Sequence, residues 1–341
     1  MKANDFFYSS QKPNSQGGAI LVMVLLIVAV VSTLAINFAG AFQLSVARSE
    51  NRWHGAQANA YLLGAEDLAL SVLKEDRAEG EVDHLGEIWA QKSEPFPVEG
   101  GWLSGRVVDA QGLFNLNSLV GSAGDAGSAS SAARFTEEQR RFIRLLQTFE
   151  SLPLAQGDAV AIVEAIIDWL DSDDRPTGYG GAESNYYNSL DSVYYAGNQN
   201  FSSVNELRLV RYITPELYAL LEPFLVVLPE KVSININTAP LKLLQTINVS
   251  TSLEALSVSD AQELLDSLGS EGYETLAEFE NSPAMVGLMP QGTGPDMQGL
   301  SISSEYFLLY SESLVAKQRR KLESLVLRTE DKLQIIRRID G

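Results

Sequence analysis

Eighteen consecutive residues, Ala19 to Ile36, carry no charge, and only Ser32 and Thr33 among them have polar side chains. A run this long and apolar limits what the chain can become. A helix needs about 20 apolar residues to cross a bilayer, so the run is long enough to span one. A secretory signal has a basic start, a shorter apolar stretch and a small-residue cleavage site behind it. Here the polar start "MKANDFFYSSQKPNSQGG" is long, and "INFAGAFQLSVARSE" after the run holds no such site. Instead a helical pattern continues without proline to about Lys74. Apolar positions such as Phe42, Val46, Trp53, Ala56, Ala60, Leu63, Leu70 and Leu73 recur at threes and fours. The reading is one helix from Ala19 to about Lys74, about 80 Å long at ~1.5 Å per residue, half in lipid and half against a soluble body. The stripe Trp53, Ala56, Ala60 and Leu63 is expected to pack on that body. Small residues in the apolar half (Ala29, Ser32, Ala35, Ala39 and Gly40) allow close helix approach in a membrane.

Composition narrows the rest. The chain has 44 acidic against 25 basic residues and a net charge of −19, which disfavours nucleic acid as a partner. It has no cysteine, which excludes disulfides, thiolate zinc sites and thiol nucleophiles. Two histidines, His54 and His84, do not make a histidine-based metal site. No glycine-rich phosphate loop and no Gly-x-Ser-x-Gly motif is present, so the chain is not read as an enzyme.

Downstream, "EGGWLSGRVVDAQGLFNLNSLV" holds strand-like runs with glycine turns. Helices are expected in "TEEQRRFIRLLQTFESL", capped by Thr136, and in "DAVAIVEAIIDWL", capped by Asp158. Further short helices are expected in "SVNELRLV", in "TPELYALLEPFL" with its Thr214 cap and N1 proline, in "APLKLLQTI" and in "SVSDAQELLDSL". Three alternating runs between Ser304 and Asp340 read as antiparallel strands, with the basic run 317–321 as a turn between them or a surface for an acidic partner. Residues 120–134 and 281–299 read as linkers. The fold class is α+β.

The acidic stretch "DWLDSDDRPTGYGGAESNYY" is the candidate for chemistry. Asp168 and Asp171 share a face if the helix runs that far, and Asp173, Asp174 and Glu183 follow around a glycine-rich turn. Hard oxygen ligands on a loop suit Ca²⁺; a solvated acidic loop with capping aspartates is the other reading. Arg175 and Pro176 stand at the fifth and sixth positions from Asp171, so this is no EF-hand. "ININTAPLKLL" is similar to a helix–hairpin–helix element, but with only Lys231 and Lys242 nearby it reads as a packing unit.

Two features resemble known families. Gly17-Gly18 before an all-apolar helix resembles the leader of type IV prepilins and pseudopilins. That likeness implies cutting between Gly18 and Ala19 by prepilin peptidase, methylation of the new amino terminus and retention of the helix. The chain departs from the pattern in two places: Gly17 stands where a basic residue is usual, and Met23 stands where the fifth mature residue is usually glutamate. "VVDAQGLFNLNSLV", "AIIDWLDSDDRPTGYGGAESNYY", "SSVNELRLVRYITPELYALLEPFLVVLP" and "SININTAP" together, in order, resemble the minor pseudopilin K family of type II secretion. This resemblance implies a long transmembrane helix packed on an antiparallel pilin-like sheet, with a large inserted α-helical domain. The expected divisions are 1–18 leader, 19–40 transmembrane helix, 41–120 periplasmic helix and first part of the pilin-like domain, 121–300 helical insertion, and 301–341 closing strands. It implies an inner-membrane, single-pass protein with its body in the periplasm. It also implies a pseudopilus tip complex with I- and J-type minor pseudopilins, and contact with the major pseudopilin and the assembly platform. Family members bind calcium in the helical domain. The implied ligands are Asp168, Asp171, Asp173, Asp174 and Glu183, with Asn188 and Asp191 as completions. A minor pilin at a type IV pilus tip and an anchored calcium-binding adhesin are the alternatives.

Overall fold

A computed structural model describes residues 17–121, 123–124, 132–289 and 294–341. The leader up to residue 16 lies outside them, as do parts of both expected linkers. Helix α1 (Gly17–Glu79) is a single 63-residue element, five residues longer at its end than its pattern suggested. It alone among the described residues is long and apolar enough to cross a membrane.

Strands β1 (Phe96–Val98) and β2 (Gly101–Asp109) form a hairpin after α1, turning at Gly100 with φ +81. A short β3 (Phe114–Asn115) follows, then helices α2 (Glu137–Leu146), α3 (Gln156–Leu170), α4 (Ser184–Tyr187) and α5 (Pro215–Leu221). Next come β4 (Leu225–Val226), β5 (Ile234–Asn235), α6 (Leu241–Leu244), α7 (Val258–Ser267), α8 (Leu276–Glu280) and α9 (Pro283–Leu288). The chain closes with β6 (Leu300–Ser301), β7 (Tyr306–Val315), β8 (Gln318–Arg328) and β9 (Leu333–Asp340). The main sheet is antiparallel in the order β1-β2-β7-β8-β9, so the last three strands join a hairpin from about two hundred residues earlier.

Alternation along β7 sets the layers. Phe307 and Leu309 face α1, where Leu73, Trp89 and Val326 complete a core. Tyr306 and Leu308 face the other way, onto Val226, Leu228 and Leu325. On α1 the sheet-facing residues are Gly55, Ala58, Leu62, Glu66 and Leu73. This corrects the expected packing stripe. Trp53 is 71% exposed, and Ala56, Ala60 and Leu63 are exposed with it. In an alanine-rich helix both faces carry small or apolar residues at threes and fours, so periodicity does not choose between them. Polar contacts do: Ser313 Oγ donates to the Ala58 carbonyl at 3.0 Å, and Ser324 Oγ donates to Glu66 Oε2 at 2.5 Å.

The helices gather around a separate, larger core that includes Phe142, Ile166, Tyr187, Leu221, Leu244 and Met285. It takes in Phe114, Leu116 and Leu119, upstream of residue 121. Thr136 caps α2 as expected, with Gln139 as its reciprocal partner in a capping box. Asp158 is not a cap: α3 starts at Gln156 behind Ala155, which leaves Asp158 in the first turn, where its charge favours the helix dipole. The stretch read as a linker at 281–299 contains α9, capped by Ser282.

This helical lobe joins the sheet at the end farthest from the apolar half of α1. Ala58 lies opposite Ser313, while Leu73, fifteen residues further along α1, packs on Phe307 near the start of β7. Beyond that end, Asn235 Nδ2 donates to the Asp83 carbonyl and to Asp109 Oδ2, at 3.1 and 3.0 Å.

Candidate metal site

The acidic residues are placed by the end of α3 and by the turn behind it. The helix stops at Leu170, and Asp171 has an extended backbone (φ −77, ψ 172), so Asp168 and Asp171 do not share a helical face. Asp168 is fully buried and accepts from the Thr177 N–H at 2.9 Å (Oδ1) and 3.2 Å (Oδ2). Asp173 accepts from the Arg175 N–H at 2.8 Å and folds the loop back on itself. The glycine run lets the returning backbone lie against α3. A Cβ on Gly181 would stand 2.4 Å from Asp168 Oδ2, and one on Gly178 (φ +58) would stand 2.1 Å from Glu164 Oε1. Glu164 is satisfied separately, by Arg134 at 2.8 Å and the Gly180 N–H at 2.6 Å.

The loop then delivers Glu183 at the start of α4. Carboxylate oxygens of Asp171, Asp173 and Glu183 lie within 4.8 Å of one another. Glu183 is 2% exposed, and neither of its carboxylate oxygens has a hydrogen-bond partner. Burial pushes its pKa up to about 8, and the neighbouring charges of Asp168, Asp171, Asp174 and Asp173 add to the shift. Burial also raises Asp171, with Asp168 and Asp173 contributing. Asp168 is raised by burial against the opposing pull of Thr177. Asp174 is exposed and acts through its charge, while Asp191 stands outside the three-carboxylate group and Asn188 is exposed.

A buried carboxylate without a donor or a cation is costly. Oxygen ligands at this spacing, on an irregular loop, fit a hard divalent ion of the Ca²⁺ type. The sequence could identify these residues as candidates. It could not show that Asp168 spends its oxygens on Thr177 while Glu183 keeps both of its own free. The two lysines beside the hairpin-like "ININTAPLKLL" are committed elsewhere. Lys231 pairs with Glu138 at 2.8 Å, and Lys242 donates to the Thr148 carbonyl beside the Phe149 ring.

Two family models, both described as type II secretion system protein K, match residues 112–230 and 234–303. Type II secretion system protein K of Aeromonas hydrophila is 36% identical over 330 residues, 96% of this chain and 97% of that one. The protein of the same name from Pseudomonas aeruginosa is 32% identical, over 96% and 93%. Among solved structures, a chain of the GspK-GspI-GspJ complex from the enterotoxigenic Escherichia coli type 2 secretion system superposes with a TM-score of 0.69 at 26% identity. That match covers 86% of this chain and 99% of the other.

Proposed function

The chain belongs to the type II secretion system protein K family and is a minor pseudopilin of that system; from this we propose that it forms and caps the pseudopilus tip with I- and J-type minor pseudopilins. The observation that carries the proposal is the position of the helical lobe. It sits at the end of the sheet farthest from the apolar half of α1, where a further subunit would have to stack. A bulky lobe there blocks growth in one direction only. Met23 supports the same reading, since a methionine cannot neutralise the amino terminus of a subunit above it. The relatives named above belong to type II secretion, which favours it over a type IV pilus tip. The role is structural rather than catalytic. We place the body in the periplasm, anchored in the inner membrane by α1, in contact with the major pseudopilin and the assembly platform. Prepilin peptidase cuts and methylates it at Ala19.

Calcium held by Asp171, Asp173 and Glu183, with Asp168 and Asp174 around them, completes the lobe. The test is co-expression with the two partner pseudopilins and prepilin peptidase, followed by intact mass and isolation of the complex. A mature chain starting at methylated Ala19 in an equimolar ternary complex is expected. A chain starting at Met1, or one that stays monomeric beside both partners, overturns the reading.

A further inference from the structure

Beside the metal loop lies a second polar feature that the tip role does not use. Arg211 follows a short turn at the base of α5. Its guanidinium carbon lies over two tyrosine rings, 4.5 Å from the centroid of Tyr186 and 4.5 Å from that of Tyr212. One nitrogen, Nη1, donates to the Gly181 carbonyl at 3.2 Å, and the Arg211 backbone N–H donates to the Tyr187 hydroxyl at 3.3 Å. The head group is therefore held by two rings and one carbonyl. Among the described residues no carboxylate pairs with it, although the chain carries 44 acidic residues. Arg134, Arg140, Arg141, Arg144 and Arg328, buried or half-buried, each have a carboxylate, whereas half-buried Arg77 donates only to the Glu81 carbonyl at 3.4 Å.

The backbone singles out the same place. Tyr212 has φ +69, a left-handed conformation that a bulky L-residue adopts only under constraint. That conformation sets its ring against Arg211 while leaving it 42% exposed. Next to it, Leu209 is 45% exposed, and its carbonyl accepts from the Tyr194 hydroxyl at 2.8 Å. A planar guanidinium offers a fork of donors that matches a carboxylate in two parallel hydrogen bonds. Fixing that fork beforehand reduces the ordering cost of binding. Arginine and tyrosine in a small half-buried patch are also the residue types that dominate protein contacts.

We propose that Arg211, clasped by Tyr186 and Tyr212, is an anchor for a carboxylate of a partner polypeptide. The partner segment is acidic, and Leu209 and the Tyr212 ring receive the apolar residue beside its carboxylate. The site rests on the edge of the guanidinium that is not turned to the Gly181 carbonyl.

The test uses the full chain in nanodiscs with isotopically labelled arginine side chains, titrated with acetylated and amidated hexaglutamate. Hexaglutamine is the neutral control and inorganic phosphate the competing anion. The Arg211 Nε signal, assigned by its loss in Arg211→Gln, should shift saturably with hexaglutamate and stay still with hexaglutamine. Apparent affinity should fall by about ten-fold or more in Arg211→Gln, and by less in Arg211→Lys, which keeps the charge and loses the fork. Tyr212→Gly, which accepts the positive φ but removes the ring, should also weaken binding. Unchanged near-ultraviolet circular dichroism in each variant confirms that the lobe is folded. Equal shifts across all arginine signals, or the same affinity in Arg211→Gln, overturns the proposal. Phosphate binding as well as the peptide overturns the choice of a polypeptide carboxylate.

Discussion

Among the described residues, two groups of three carboxylates crowd their oxygens together and reach opposite solutions. Asp76, Asp83 and Glu87 lie where α1 ends against the sheet, and Asp171, Asp173 and Glu183 lie in the helical lobe; in each, oxygens come within 4.8 Å of one another. In the first group the chain supplies its own cation. Arg328 reaches in from β8, donating to Asp76 at 2.7 Å and to Asp83, and its guanidinium lies over the Phe307 ring. Glu87 accepts from the Trp89 indole at 2.6 Å and from the His84 N–H at 3.0 Å. In the second group no basic side chain among the described residues pairs with the acids, and Glu183 has no hydrogen-bond partner among them. A cluster of acids therefore does not identify a metal site by itself. What separates the two is whether the fold delivers a positive charge.

The comparison breaks most visibly at Arg328. Replacing it with Met keeps the volume but leaves Asp83, only 1% exposed, as an unpaired charge. A loss of about 3–5 kcal/mol is expected. Denaturant unfolding of the detergent-solubilised protein measures it, and added calcium should recover part of the loss if the orphaned acids then resemble the other group. The lobe should respond in the opposite sense. Saturation at a hundred times the dissociation constant stabilises a folded protein by about 2.7 kcal/mol, so chelation should lower the lobe's melting temperature. Glu183→Gln should remove that calcium response without the Arg328-sized loss. A melting curve indifferent to both calcium and chelator would count against a metal there.

Protons sharpen the contrast further. Free of metal, Glu183 has its pKa raised from 4.5 to about 8. Between those values the folded state holds more protons than the unfolded one, so stability contributed by this group falls as pH rises through the window. A cation would displace that proton. Calcium added in weak buffer at neutral pH should release close to one proton per site, falling towards none well above pH 8, as a pH electrode would follow. The smallest effect belongs to Asp174, which is exposed and acts only through its field. Asp174→Asn should reduce calcium affinity by no more than about 1 kcal/mol in a calorimetric titration.

Much of this architecture is readable in the residues. The unbroken helix, the final three strands and the Thr136 and Thr214 caps follow from hydropathy and local chemistry. The orientation of α1 does not. Its buried face holds Gly55, Ala58 and Glu66, and Glu66 goes inside because Ser324 and Arg338 meet it from strands more than 250 residues away. Polar pairing across that distance leaves no periodic trace. The acidic loop was visible by composition, yet Asp171 leaves the helix and Asp168 turns to Thr177, details fixed by where α3 ends. Arg328 looks in the sequence like any other basic strand residue.

Helix α1 runs without interruption from the apolar segment to the sheet, where the first hydrogen bond from a strand side chain, Gln318 Nε2 to Asn51 Oδ1 at 3.4 Å, precedes the buried contact at Ala58. Between the two there is no hinge. Such an element behaves as a drive shaft. Each residue adds about 1.5 Å of height and about 100° of turn to everything mounted on its far end. One residue inserted after Gly40 would leave both the membrane segment and the sheet intact, yet swing the lobe by more than a quarter of a revolution. The angular position of the distal lobe is thus written into the length of the neck as firmly as any contact surface.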